Sequence, residues 1–171
     1  QAVPTGINSA LVLISSGTAT GAATLSFTNV FSSTYDSYKI IFKRFATTNN
    51  TEMYMTLGTS NTADTGANYV YNGLTAQASL TSTATVTSAT AWVWASNAGA
   101  ANNWAEFTIS NPNLALYTQM NSNVLGNYSA GFYSNIRWHQ LRTTTQYTDF
   151  FITGNNNPGD LDYAIYGYVK S

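Results

Sequence analysis

A period-two alternation of apolar and polar residues recurs along this chain and limits the folds open to it. The alternation is clearest at Ala23–Phe27, Tyr38–Phe45, Glu52–Leu57 and Asp162–Val169. Successive side chains of a β-strand point to opposite faces of the sheet, so such a segment has one core face and one wet face. In Glu52–Leu57, for instance, the two methionines and the leucine share a face. These segments therefore predict half-buried strands.

Turn-forming residues separate the alternating segments. They cluster at Gly17–Gly21, Thr47–Thr51, Gly58–Asn68, Asn97–Asn103, Asn121–Asn127 and Gly154–Gly159, which we interpret as turns and loops. Thr81–Ala91 predicts one long strand with a hydroxyl face, since threonine suits a pleated surface. About ten short strands with little or no helix predict an all-β sandwich or barrel.

The domain organisation predicted from this pattern is simple. Residues 1–10 contain Pro4 and Gly6 and show no periodicity, which predicts an extended N-terminal arm or linker. Residues 11–171 are predicted to form a single domain, because one domain of this length can bury a good core.

Charge is scarce, and this excludes several classes of partner. Only 8% of residues are charged and the net charge is −1, whereas ordinary domains contain about 25% charged residues. The six basic residues are scattered, so we predict no nucleic-acid binding. The chain has no cysteine, which removes disulfides and thiolate-bound zinc. No apolar run is long enough to cross a bilayer, so we predict no membrane insertion.

Catalytic and metal sites find little support in the sequence. His139 is the only histidine, and no pattern supplies the nucleophile and acid that a triad requires. Pairs of acids such as Glu106 and Asp149 could converge as in a glycosidase, but salt bridges and turn caps are the commoner use. Asn155–Asp162 is rich in oxygen ligands yet lacks the closing carboxylate of a calcium loop. We predict a non-enzymatic protein without cofactor or metal.

Aromatic rings are the best candidates for recognition. The chain has four tryptophans and twelve tyrosines, and flat rings can stack on sugars while amides and hydroxyls bind the sugar hydroxyl groups. The candidates for contact with a glycan or a protein partner are Trp92, Trp94, Trp104, Tyr128, Tyr133 and Trp138. The alternative for each is that the ring fills the core or a subunit interface.

Four segments resemble a known group of proteins. The sequences LVLISS after Ala10, ATLSFTNV from Ala23, STYDSYKIIF from Ser33 and the closing IYGYVKS are similar to the jelly-roll-like β-sandwich domains of tailed-phage virion proteins. Such domains occur in tail fibres and capsid surface proteins of cyanophages and environmental phages. The resemblance covers Ala10–Phe42 and the last strand, while Thr47–Asp160 matches only in composition and rhythm.

The resemblance implies a structural protein on the surface of the virion. Our first hypothesis is the tip of a tail fibre, an adhesin that forms a homotrimer and binds host-surface polysaccharide through the loops at Gly58–Asn68, Asn97–Asn103 and Asn121–Asn127. The alternative is a capsid decoration or head-fibre protein that binds the capsid shell through residues 1–10 and contacts other virion proteins through its aromatic faces. A glycan hydrolase or a secreted lectin is a further alternative, since a fold alone does not define function.

Overall fold

A computed structural model describes residues 11–47, 51–77, 80–98, 103–128, 131–155 and 158–170. The predicted N-terminal arm at residues 1–10 lies outside these ranges. The described residues form thirteen strands: β1 (Leu11–Ala19), β2 (Thr24–Phe27), β3 (Ser37–Phe45), β4 (Thr51–Thr59), β5 (Thr62–Ala63), β6 (Tyr69–Gln77), β7 (Leu80–Ala89), β8 (Trp92–Ala98), β9 (Asn103–Ser110), β10 (Thr118–Tyr128), β11 (Gly131–Leu141), β12 (Asp149–Gly154) and β13 (Leu161–Tyr168). The all-β prediction is confirmed, with more strands than the ten expected.

Two antiparallel sheets contain these strands, and their order is that of a jelly roll. Four strands of the larger sheet run in the order β1, β13, β3, β9, and four of the five strands of the smaller sheet run in the order β2, β12, β4, β8, with β5 also paired to β4. Among these eight strands, the chain changes sheet at every step along the sequence except from β4 to β8. This alternation between sheets is how eight strands form the two Greek keys of a jelly roll.

Two hairpins extend the larger sheet beyond that frame. The β6–β7 hairpin is inserted between β5 and β8, and the β10–β11 hairpin between β9 and β12. They continue the sheet past β9 in the order β10, β11, β6, β7, so the larger sheet has eight strands. One end of this sheet therefore consists wholly of inserted strands.

Aromatic rings fill the space between the sheets. Trp94 of the smaller sheet lies with its ring 5.7 Å from that of Phe42, 5.3 Å from Phe45 and 5.1 Å from Phe107, all on the larger sheet. Each of these four side chains has no exposed surface. Edge-to-face contacts of this kind add to the large apolar area that such rings bury, so they hold the two sheets together.

The predicted loop at Asn121–Asn127 is wrong, because the segment lies inside β10. Ser122 and Val124 point to the core while the alternating Asn121, Asn123 and Asn127 are exposed. Asparagine is common in turns, but here the period-two pattern of inward positions determines the structure. The predicted loop at Gly58–Asn68 also contains strand, namely the end of β4 and all of β5.

Asp149 joins two tight turns at one end of the sandwich. Its carboxylate accepts hydrogen bonds from the backbone N–H of Asn29 at 2.9 Å and of Asn61 at 2.7 Å, and from the hydroxyl of Thr148 at 2.8 Å. Asn29 and Asn61 both have positive φ angles, of 55° and 57°, a region asparagine tolerates better than most residues. Burial acts to raise the pKa of Asp149, but these three hydrogen bonds hold it below its ordinary value.

We expect Asp149→Ala to lower the free energy of unfolding by about 3 kcal/mol, because it leaves two backbone N–H groups without their acceptor. Urea denaturation followed by fluorescence measures the change. Asp160→Ala is the control, since Asp160 accepts one exposed hydrogen bond, from Gly21 at 3.2 Å, and should cost less than about 1 kcal/mol. Equal losses in the two variants would contradict a structural role for Asp149.

Candidate functional site

Three of the six aromatic candidates lie in the core. Trp92, Trp94 and Tyr133 have no exposed surface, and burial raises the pKa of Tyr133 above its ordinary value. Trp92 packs edge-to-face on Tyr69 with ring centres 5.3 Å apart. In this arrangement none of the three rings can contact a ligand, and each serves to fill the sandwich.

The other three candidates belong to the larger sheet. Trp138, on β11, is 50% exposed, and Trp104, on β9, is half-buried. Tyr128 ends β10, but its side chain lies outside the described residues. Trp138 is therefore the candidate ring that the structure presents most openly to solvent, and it stands on the inserted part of the sheet.

Two asparagines flank Trp138 across the neighbouring strands. In the antiparallel register Trp138 pairs with Asn121 of β10 on one side and with Asn72 of β6 on the other. Asn72 in turn pairs with Thr85 of β7. Directly paired residues share a face and stand about 5 Å apart, so an indole ring, two amides and a hydroxyl form one row.

Two open depressions lie on either side of Trp138. The first, with a volume of about 360 Å³, is bordered by Trp138 and by polar side chains of the four inserted strands and the segment after β11, namely Asn72, Thr85, Thr87, Gln119, Asn121, Gln140 and Arg142. The second, of about 240 Å³, contains Glu106, Thr108, Asn121, Asn123 and Ile136 beside the same tryptophan. Trp138 thus forms the ridge between two shallow, polar hollows.

Strand β11, which carries Trp138, is hydrogen bonded on its inner side to β8 of the smaller sheet. Arg137 points inward and donates a hydrogen bond to the carbonyl of Val93 at 2.8 Å, and the indole N–H of Trp92 donates to the carbonyl of Gln140 at 3.2 Å. Arg137 is buried, with 3% of its surface exposed. These contacts fix the backbone on both sides of Trp138, so its ring stands on a rigid base rather than on a loop.

His139 lies directly beneath this surface, as the alternation in β11 predicts. It is 4% exposed, and its Nε2 atom hydrogen bonds with Ser122 Oγ at 3.0 Å. Its Nδ1 atom has no hydrogen-bond partner among the described residues. A catalytic triad requires an acid that orients one nitrogen of the histidine, whereas the hydrogen-bond partner of His139 among the described residues is the hydroxyl of Ser122.

The acids near the site have structural partners. Glu106 forms a salt bridge of 3.0 Å with Lys39 of the neighbouring strand, and Asp149 binds backbone N–H groups of two tight turns. Glu106 is the single carboxylate among the described residues that border the two depressions. Neither depression brings together the two carboxyl groups that glycoside cleavage requires.

Within the described ranges, no group of three or more metal-ligating side chains occurs. The oxygen-rich segment Asn155–Asp162 is only partly described, and Asp162 there pairs with Arg44 at 3.0 Å. Across the same ranges, no helix has the length and apolar character to span a bilayer.

Sequence reasoning found the ring but missed the amides around it. Asn72, Gln119, Asn121, Asn123 and Gln140 were not among the candidates. Two of them fell in the segment predicted as a loop, and the strand pairing that brings Asn72 beside Trp138 joins distant segments. The signal that could have identified them is the alternation in β10, where each exposed amide is separated from the next by an inward-facing residue.

The comparisons with known proteins find neither a family model nor a curated protein that matches this chain. The resemblance to phage virion domains therefore stays a prediction from the four segments that carry it.

We expect the stability of the protein to depend on pH through His139. Burial, together with the nearby charge of Arg137, lowers the pKa of His139 to about 3, whereas the unfolded chain has the usual value of about 6.5. Below about pH 6 the unfolded state binds a proton that the folded state does not. The free energy of unfolding should therefore fall by about 1.4 kcal/mol for each pH unit between pH 6 and pH 4.

His139→Gln tests this dependence, because glutamine does not titrate and can still hydrogen bond with Ser122. Urea denaturation between pH 7.5 and pH 4 should show a shallower pH dependence for the variant than for the wild type. Asp149 and Asp162 have lowered pKa values in the folded protein, so their ionised forms stabilise the fold and this stabilisation is lost as the pH falls through those values. The contribution is the same in both proteins and cancels in the comparison. Parallel curves for the two proteins would show that His139 is protonated equally in both states.

Proposed function

We propose that this protein is a non-enzymatic glycan-binding domain whose binding face surrounds Trp138. The observation that carries the proposal is the row in which Asn72 and Asn121 flank the half-exposed indole on adjacent strands. A sugar ring would stack its apolar face on Trp138. The amides would then exchange hydrogen bonds with the sugar hydroxyl groups, since an amide has both donors and acceptors.

Two further features support this function. The side chains that border the larger depression are mainly amides and hydroxyls, which suits a ligand with many hydroxyl groups. The site also stands on strands anchored by the core, and a site held in place before binding loses less conformational entropy when the ligand arrives.

The resemblance in the first and last strands supports a location on a phage virion, at the tip of a tail fibre that adheres to host polysaccharide. Homotrimer formation is part of the same proposal. The capsid alternative stays open, because its predicted contact at residues 1–10 lies outside the described residues.

Trp138→Ala should reduce binding to host-cell polysaccharide by about five- to 150-fold, because stacking of a nucleobase on an aromatic side chain contributes about 1–3 kcal/mol and stacking of a sugar on Trp138 would be a contact of the same kind. Glycan-array screening identifies a bound polysaccharide, and isothermal titration calorimetry measures the affinity of each variant. Leu13→Ala is the matched control: Leu13 is 54% exposed on β1 of the same sheet, with four strands between it and β11. Unchanged affinity in Trp138→Ala would overturn the proposed site.

Immunogold labelling of the virion with an antibody to this chain should place gold at the tips of the tail fibres. The antibody alone, on a phage that lacks the protein, is the control. Gold on the capsid would overturn the tail-fibre location and favour the decoration protein, and labelling of neither structure would overturn the virion assignment.

A further inference from the structure

We infer that the glycan bound at Trp138 is acidic, and that a carboxylate of its sugar pairs with Arg142. This inference rests on the proposed function and names the class of glycan that the same site would select. It departs from the neutral chemistry that the low charge of the chain suggests.

Arg142 borders the larger depression, directly after the strand that carries Trp138. Its backbone N–H donates to the carbonyl of Asn68 at 3.0 Å, and its Nε donates to Gln140 Oε1 at 3.3 Å. Both contacts hold Arg142 at the edge of the larger depression. A guanidinium bound through Nε still has four N–H donors at its two terminal nitrogens.

The charge of Arg142 has no counterpart in the described part of the chain. Three ion pairs occur there, and they join Lys39 to Glu106, Arg44 to Asp162 and Lys170 to Asp36. The described residues that border the larger depression include no carboxylate. The larger depression is therefore a site of net positive charge in a chain whose net charge is −1.

The smaller depression, on the other side of Trp138, has the opposite character. Its acid, Glu106, is neutralised by Lys39 at 3.0 Å. Arg137 also borders the smaller depression, but its guanidinium points inward and donates to the carbonyl of Val93. Arg142 is therefore the cation that a sugar chain lying across Trp138 would meet. Planar guanidinium groups bind carboxylates through two parallel hydrogen bonds, so an acidic sugar is the ligand that this asymmetry favours.

The test uses glycans whose charge can be removed chemically. Oligosaccharides of alginate, pectate and hyaluronan are each compared with the same oligosaccharide after its carboxyl groups have been reduced to alcohols. By isothermal titration calorimetry, the wild type should bind at least one acidic form about five- to tenfold more tightly than its reduced form. Raising the salt concentration should shrink that difference, because screening weakens an exposed ion pair.

Arg142→Gln should bring the ratio of the affinities for the acidic and reduced forms to about one, while Trp138→Ala should weaken binding of both forms and keep that ratio. Lys43→Gln is the matched control, since Lys43 is an exposed cation on β3 and does not border either depression. Equal wild-type affinity for the acidic and reduced forms would overturn this inference and leave the proposed function standing. If the wild type binds none of these oligosaccharides but binds host polysaccharide, the inference is likewise wrong; if it binds no glycan at all, the proposed function fails with it.

Discussion

The packing of β8, a strand of the smaller sheet, against the larger sheet determines most of what this structure can do. Trp94 projects from β8 into the larger sheet and meets three phenylalanine rings there, so the distance between the sheets is set by aromatic contact. The same strand offers the carbonyl of Val93 to Arg137 and the indole N–H of Trp92 to β11. The two hydrogen bonds that hold β11 on its inner side therefore depend on the packing between the two sheets.

The jelly-roll frame and the binding face come from different parts of the chain. Eight strands complete the frame, and the row through Trp138 lies on the two inserted hairpins. The hairpins still contribute to the core, because Val124 and Tyr133 on them are fully buried. The inserted strands β6, β10 and β11 thus each have one face that packs on the core and one face toward solvent, which is the usual division of an antiparallel sheet.

Alternation predicted the strands well and their roles less well. It placed His139 and Trp138 on opposite faces of β11, and the burial of one and exposure of the other confirm it. It could not predict that Trp92 and Trp94 lie in the core, since neighbouring bulky residues fit a buried strand and an exposed one equally. Asn121 was assigned to a loop because propensity favoured a turn, whereas pairing with β9 and β11 overrides that preference. Sheet order, and with it the row of Asn72, Trp138 and Asn121, depends on contacts between distant segments that no local pattern specifies.

The two depressions beside Trp138 are open to solvent rather than enclosed, and this shape affects how a polymer is recognised. An enclosed pocket accepts a chain end, while an open surface can accept any internal unit of a repeating polysaccharide. Every equivalent unit is then a possible point of attachment, and a polymer with ten of them gains about 1.4 kcal/mol of apparent affinity over a single unit. If this surface binds a polysaccharide as proposed, release from one unit can be followed by rebinding at a neighbouring unit before the protein diffuses away.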